Sequence, residues 1–227
     1  GLPVAIMEGM WITLVRTAAC GAVAARRCVL GEPARLGLIG CGGLGHWAVR
    51  VFTEVFPSIT EIHVASRTEA SRRRFCEEMS NTGSWTIRPV DRIEDAVRGM
   101  DIVVSAIPQG SDRPLKGAWW APGMVAVPLD VLSAWDDEAF TRLDRLVTDN
   151  YEGLIGIIGQ LRPDLVIPKE WVSFGDLVTG RSPGRINSEE RIMAIPTGVA
   201  SIDIMLAWEI YRRGRAAGVG TEVGLLA

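Results

Sequence analysis

The sequence has little with which to hold a metal. It contains two histidines and four cysteines, and Cys20, Cys28, Cys41 and Cys76 form no C-x-x-C pair. No metal site is expected, and the cysteines read as reduced thiols of a cytoplasmic protein. No apolar run approaches the length of a membrane span. Gly1–Met7 lacks the basic start of a secretory signal. Ile6 stands where a myristoylation motif needs Ser or Thr. Neither sign of charge dominates: the net charge is −3, which points away from a nucleic-acid partner. There is no internal repeat and no low-complexity segment. What is present suits a globular α/β protein: 227 residues, 48% of them hydrophobic, suffice for a sizeable core.

One stretch organises the rest. Leu36–Ile39 is a short apolar run, and Gly40, Gly42 and Gly45 follow it in G-x-G-x-x-G spacing. Ala48, Val49, Phe52 and Val55/Phe56 then recur at helical intervals. The pattern is strand, tight turn, helix start. Gly40 allows the turn, Gly42 lets a pyrophosphate approach the backbone, and Gly45 lets the helix pack closely on the strand. Free N–H groups and the dipole at the helix start attract the anion.

Before that stretch, Gly1–Gly9 could be a strand. Trp11–Leu30 reads as a helix rich in small residues, with Arg26 and Arg27 at its end and Gly31 as its stop. Arg16 lies mid-helix. Spacing alone favours an arginine that snorkels to solvent; the alternative is a clamp for a carboxylate. After the glycines, Glu61–Ala65 reads as a second strand, ending in Ser66-Arg67-Thr68. No carboxylate stands there to bind a ribose 2′-OH. Arg67, the two hydroxyls and the run Arg72-Arg73-Arg74 favour a 2′-phosphate, hence NADP(H), with NAD(H) possible. Arg73 and Arg74 read as a solvated helix face.

Further on, Trp85–Arg88 is a weak strand and Arg92–Gly99 a short helix. Asp101–Ile107 is a buried parallel strand, and Pro108-Gln109-Gly110 lies on the carboxyl edge where ligands bind in open α/β sheets. Met124–Val127 and Leu146–Asp149 are further strands, the first ended by Pro128-Leu129-Asp130. Asp130 can equally be read as a helix cap. Beyond Tyr151 the pattern loosens, and Asp176–Gly180 and Arg185–Asn187 read as loops. Ile192–Ile195 is a strand, and Val199–Arg213 is a helix with Ile202, Met205, Leu206 and Ile210 at core spacing. The alternation predicts a doubly wound parallel sheet of Rossmann type.

Taken together, these segments resemble the ornithine cyclodeaminase/mu-crystallin family. The resemblance rests on Leu14-Val15-Arg16-Thr17-Ala18-Ala19, Gly40–Gly45, Ser66-Arg67-Thr68 and Asp101–Ala106. It continues through Pro122-Gly123, Val127-Pro128-Leu129-Asp130, Gly175–Gly180 and Thr197–Asp203. It implies that Arg16 binds a substrate α-carboxylate and that Asp130 relays a proton near the substrate nitrogen. It assigns the cofactor to Gly40, Gly42, Gly43, Leu44 and Gly45, to Ser66, Arg67 and Thr68, and to Ser105, Ala106, Ile107 and Val127. Gly198, Val199 and Ala200 would lie near the nicotinamide. Glycines common in the family give way here to Pro128 and Leu129.

The resemblance divides the chain at residues 1–30, 31–196 and 197–227. The middle part would bind the dinucleotide, and the outer parts would belong to a substrate and oligomerisation domain. In the family a long segment precedes the position matching Gly1 and supplies substrate-binding residues. The expectation is therefore a homo-oligomer, or a second chain that completes the site. Three functions compete. The first is an oxidoreductase acting on the C–N bond of a small imine or amino acid. The second is a cyclodeaminase that recycles its cofactor internally. The third is a protein that binds NADPH without turnover.

Overall fold

The computed structural model describes residues 3–110 and 112–224. Eight strands form one parallel sheet: β1 (Arg35–Ile39), β2 (Glu61–Ala65), β3 (Thr86–Pro89), β4 (Ile102–Ser105), β5 (Val125–Pro128), β6 (Arg145–Thr148), β7 (Trp171–Ser173) and β8 (Ile192–Ile195). Their order across the sheet is β3-β2-β1-β4-β5-β8-β6-β7. The helices are α1 (Met10–Arg26), α2 (Gly43–Val55), α3 (Glu69–Met79), α4 (Asp137–Arg142), α5 (Tyr151–Leu161), α6 (Phe174–Thr179) and α7 (Ala200–Ala216).

The central strands β1, β4, β5 and β8 are apolar on both faces because both faces are covered. On β4, Ile102 and Val104 enter one core with Leu36, Phe52 and Val127, while Val103 enters the other with Ala126, Trp135 and Met193. The small residues of α1 serve close packing. Ala18, Gly21, Ala22 and Ala25 are buried. A Cβ on Gly21 would lie 2.7 Å from the Val127 side chain, so only glycine lets α1 sit this close to β5. That face of α1 is covered from within the chain.

Several expectations need correction. Residues 3–9 form no strand; Gly1 and Leu2 lie outside the described residues. The Glu8 carboxylate instead accepts from the Met10 and Trp11 amides, the latter at 3.1 Å, and starts α1. That helix ends at Arg26, short of Leu30, so Gly31 belongs to the following turn. Arg92–Gly99 holds only a 3-10 turn, Ile93–Ala96. Asp176–Thr179 is the latter part of α6, capped by Ser173 and stopped by Gly180 at φ +75°. The core spacing on the last helix is only partly used: Ile202, Leu206 and Ile210 are half-buried and Met205 is exposed, so α7 fully buries no residue although it lies against α1. Ile204, Met205 and Trp208 are exposed.

Candidate functional site

The strand order reverses between β1 and β4, and the carboxyl ends there define a crevice. Gly40 closes β1 at φ +114°. A Cβ on it would lie 2.3 Å from the Ala106 carbonyl oxygen, and one on Gly45 would lie 2.3 Å from the Gly40 carbonyl oxygen. Both positions therefore exclude any side chain. Gly42 differs, since among the described residues nothing lies within 4 Å of where its Cβ would be. It precedes α2 with no side-chain cap. The N–H groups of the first turn, at Gly43, Leu44 and Gly45, thus face an open space that suits an anion.

At the end of β2 the hydroxyls are engaged locally. Ser66 donates to the Thr68 carbonyl at 3.0 Å. Thr68 caps α3, accepting from the Ser71 amide at 3.3 Å. Arg67 is exposed and makes no ion pair among the described residues. Arg73 and Arg74 pair with Glu69 and Glu78 on the exposed helix face, as expected of a solvated surface. Arg72 departs from them: it is buried and pairs with Asp91 at 2.6 Å.

Asp130 follows β5, on the same edge. Its Oδ2 accepts from the Ile107 amide at 3.1 Å, joining the loops after β4 and β5. Burial pushes its carboxyl up from an ordinary 3.8 to about 6; the Ile107 amide, the Ser105 hydroxyl and the Ala134 and Ser133 amides pull the other way. Oδ1 is buried and makes no hydrogen bond among the described residues. Such a carboxyl changes protonation near neutrality, as a proton-transfer group requires. Two residues of the expected cofactor set turn inward. Ser105 is fully buried, and the buried Val127 side chain faces α1 at Gly21.

A second cluster forms where α1 meets the loop after β8. Arg16 donates from Nε to Asp203 Oδ1 at 2.8 Å. Its Nη1 and Nη2 make no hydrogen bond among the described residues and lie against Gly198, where a Cβ would stand 3.0 Å from Nη1. The spacing-based reading of a snorkelling side chain is thus replaced by a paired, mostly buried guanidinium with two nitrogens free. Asp149, at the end of β6, fixes the loop. Its Oδ1 accepts from the Thr197 amide at 2.8 Å and hydroxyl at 2.5 Å, and its Oδ2 from the Gly198 amide at 2.9 Å. Sequence reasoning assigned Asp149 no role. The signal was there: like Asp130, it is an aspartate directly after an apolar strand that ends on the ligand edge. Cys20 lies in this cluster, but burial pushes its thiol up to about 11, so it stays protonated. Among the described residues no group of side chains could hold a metal ion, and no helix is long and apolar enough to cross a membrane.

The fold and the glycine turn define a doubly wound, Rossmann-type protein. Residues 1–218 match the ornithine cyclodeaminase/mu-crystallin family, and the chain belongs to it. It is 28% identical to the nodulation efficiency protein NfeD of Rhizobium meliloti over 98% of this chain and 69% of that one. It is 26% identical to N-((2S)-2-amino-2-carboxyethyl)-L-glutamate dehydrogenase of Staphylococcus aureus, covering 98% and 68%. Among solved structures it resembles the Δ1-pyrroline-2-carboxylate reductase of Thermococcus litoralis in complex with NADH and L-proline. That match has a TM-score of 0.87 and 26% identity, over 98% of this chain and 71% of the reductase.

Proposed function

We propose that this protein is an NADP(H)-dependent oxidoreductase acting on the carbon–nitrogen bond of a small imine or amino acid. The observation that carries the reading is the placement, on one sheet edge, of a glycine turn left open at Gly42 and a buried carboxyl of raised pKa at Asp130. The similar reductase that holds NADH and L-proline supports it.

The residues fit a dinucleotide. Gly40, Gly42, Gly43, Leu44 and Gly45 would cradle the pyrophosphate. Arg67, with no ion pair among the described residues, would hold a 2′-phosphate, with Ser66 and Thr68 shaping the turn beneath it. Ala106, Ile107 and Val127 would line the ribose side through their backbone. Gly198, Val199 and Ala200 would lie beside the nicotinamide. A bound dinucleotide supplies the hydride.

The chain's own residues do the rest. The free nitrogens of Arg16 bind the substrate carboxylate while Asp203 steadies the guanidinium. Asp130 gives a proton to the nitrogen when the C=N bond is reduced and takes it back in the reverse direction. Reduction therefore weakens, and amine oxidation strengthens, as pH rises through about 6.

Residues 1–30 and 197–227 are read as belonging to a substrate and oligomerisation domain. Ile204, Met205 and Trp208 of α7 are exposed apolar side chains, as are Val4, Ile6 and Met10 near the start of the described residues, and they suit burial by a second copy or a complementing chain. The test is cofactor absorbance with cyclic imine carboxylates. Stoichiometric loss of NADPH, abolished in Asp130→Asn, is expected. Ammonia release from a diamino acid without net cofactor change would instead mark a cyclodeaminase, and tight binding with neither would mark a non-catalytic protein.

A further inference from the structure

Two polar atoms at the ligand edge are buried without a hydrogen bond among the described residues: the Ser105 hydroxyl and Oδ1 of Asp130. They belong to neighbouring strands. Ser105 ends β4 and pairs in register with Pro128 of β5, two residues before Asp130. Ser105 is fully buried, so its side chain has no route to a ligand in the crevice. At Asp130 the Ile107 amide donates to Oδ2 at 3.1 Å, and the Ser133 and Ala134 amides also favour the ionised carboxyl. Leaving either orphan unpaired is unfavourable, and a serine hydroxyl is free to rotate toward an acceptor.

We propose that Ser105 is a positioning residue for Asp130. Its O–H donates to Oδ1 while the Ile107 N–H donates to Oδ2, so both carboxylate oxygens are gripped and the carboxylate plane is fixed. The catalytic meaning of this grip rests on the reading of Asp130 as the proton-transfer group. It adds to that reading the element that orients the carboxylate. The hydroxyl stabilises the ionised form, and its contribution already opposes the effect of burial. The largest influences on the carboxyl besides burial are this hydroxyl and the Ile107, Ser133 and Ala134 amides, none of them ionisable. Its titration therefore reports hydrogen bonding and burial rather than a neighbouring charge.

The test is a carbon NMR titration of the aspartate carboxyls in the full chain, with Asp130 assigned by its absence from Asp130→Asn. Ser105→Ala should raise the Asp130 midpoint by about one pH unit, a tenfold change in acidity. Ser105→Thr, which keeps the hydroxyl, should restore it. An unchanged or lowered midpoint in folded Ser105→Ala overturns the proposal. Because the titration needs no turnover, it decides the role of Ser105 even if Asp130→Asn proves fully active, an outcome that would sink the catalytic reading alone.

Discussion

The burial that raises the Asp130 pKa also costs the fold stability once the carboxyl ionises. A carboxyl raised from 3.8 to about 6 binds a proton more tightly folded than unfolded. Its contribution is therefore favourable below the unfolded value and is lost as pH rises from about 4 to 6. At about 1.4 kcal/mol per tenfold change, the penalty above pH 6 is on the order of 3 kcal/mol. Asp130→Asn removes the charge at nearly the same volume. It should raise the melting temperature at pH 7.5 while destroying turnover, and the gain should shrink toward pH 4.5. A variant less stable than the wild type at pH 7.5 would show that the buried carboxylate is already compensated. The sequence revealed Asp130 by its place after an apolar strand and by family resemblance. Its perturbed acidity was not legible, because that depends on burial by groups distant in the chain. Arg16 shows the same limit: its partner Asp203 comes from α7, far along the sequence.

At the scale of elements, the strands, other than the three-residue β7, and the long helices were legible because their apolar periodicity is strong and both sheet faces are covered. The short helices were not. α6 has only six residues, too few for a period to emerge, though Ser173 and Gly180 mark its ends. α5 is rich in glycine, yet an Asn150 cap and the burial of Leu154 and Ile158 hold it helical. The loop after β8 owes its shape to Asp149 on β6, a contact no local pattern announces. On the proposed reading this loop meets the nicotinamide half of the cofactor. Asp149→Asn would present an amide N–H to a backbone N–H and lose charge-assisted bonds of about 1–3 kcal/mol. NADPH should bind roughly 5- to 150-fold more weakly. ADP, which lacks the nicotinamide half, should bind as before. Equal weakening of both ligands would mean that Asp149 merely supports the fold.

For the whole molecule, α7 is the conspicuous feature: a seventeen-residue helix with no buried residue, lying on α1. Its expected core spacing exists, but Met205 is 70% and Trp208 51% exposed. Apolar side chains so arranged favour association. Native mass measurement should find a dimer or larger species, and Trp208→Glu should reduce it to monomer with the sheet intact. A wild-type monomer at all concentrations contradicts the association. The central claim, that the glycine turn between β1 and α2 holds the pyrophosphate of a nicotinamide dinucleotide, has a direct test. It is calorimetric titration of NADPH and NADH into the wild type and Gly42→Val. No described residue lies within 4 Å of a Cβ at Gly42, so the valine should fold normally and occupy the place of the phosphate. The account predicts saturable wild-type binding, tighter for NADPH, and none detectable in a folded Gly42→Val. Undiminished NADPH binding by that variant would contradict it.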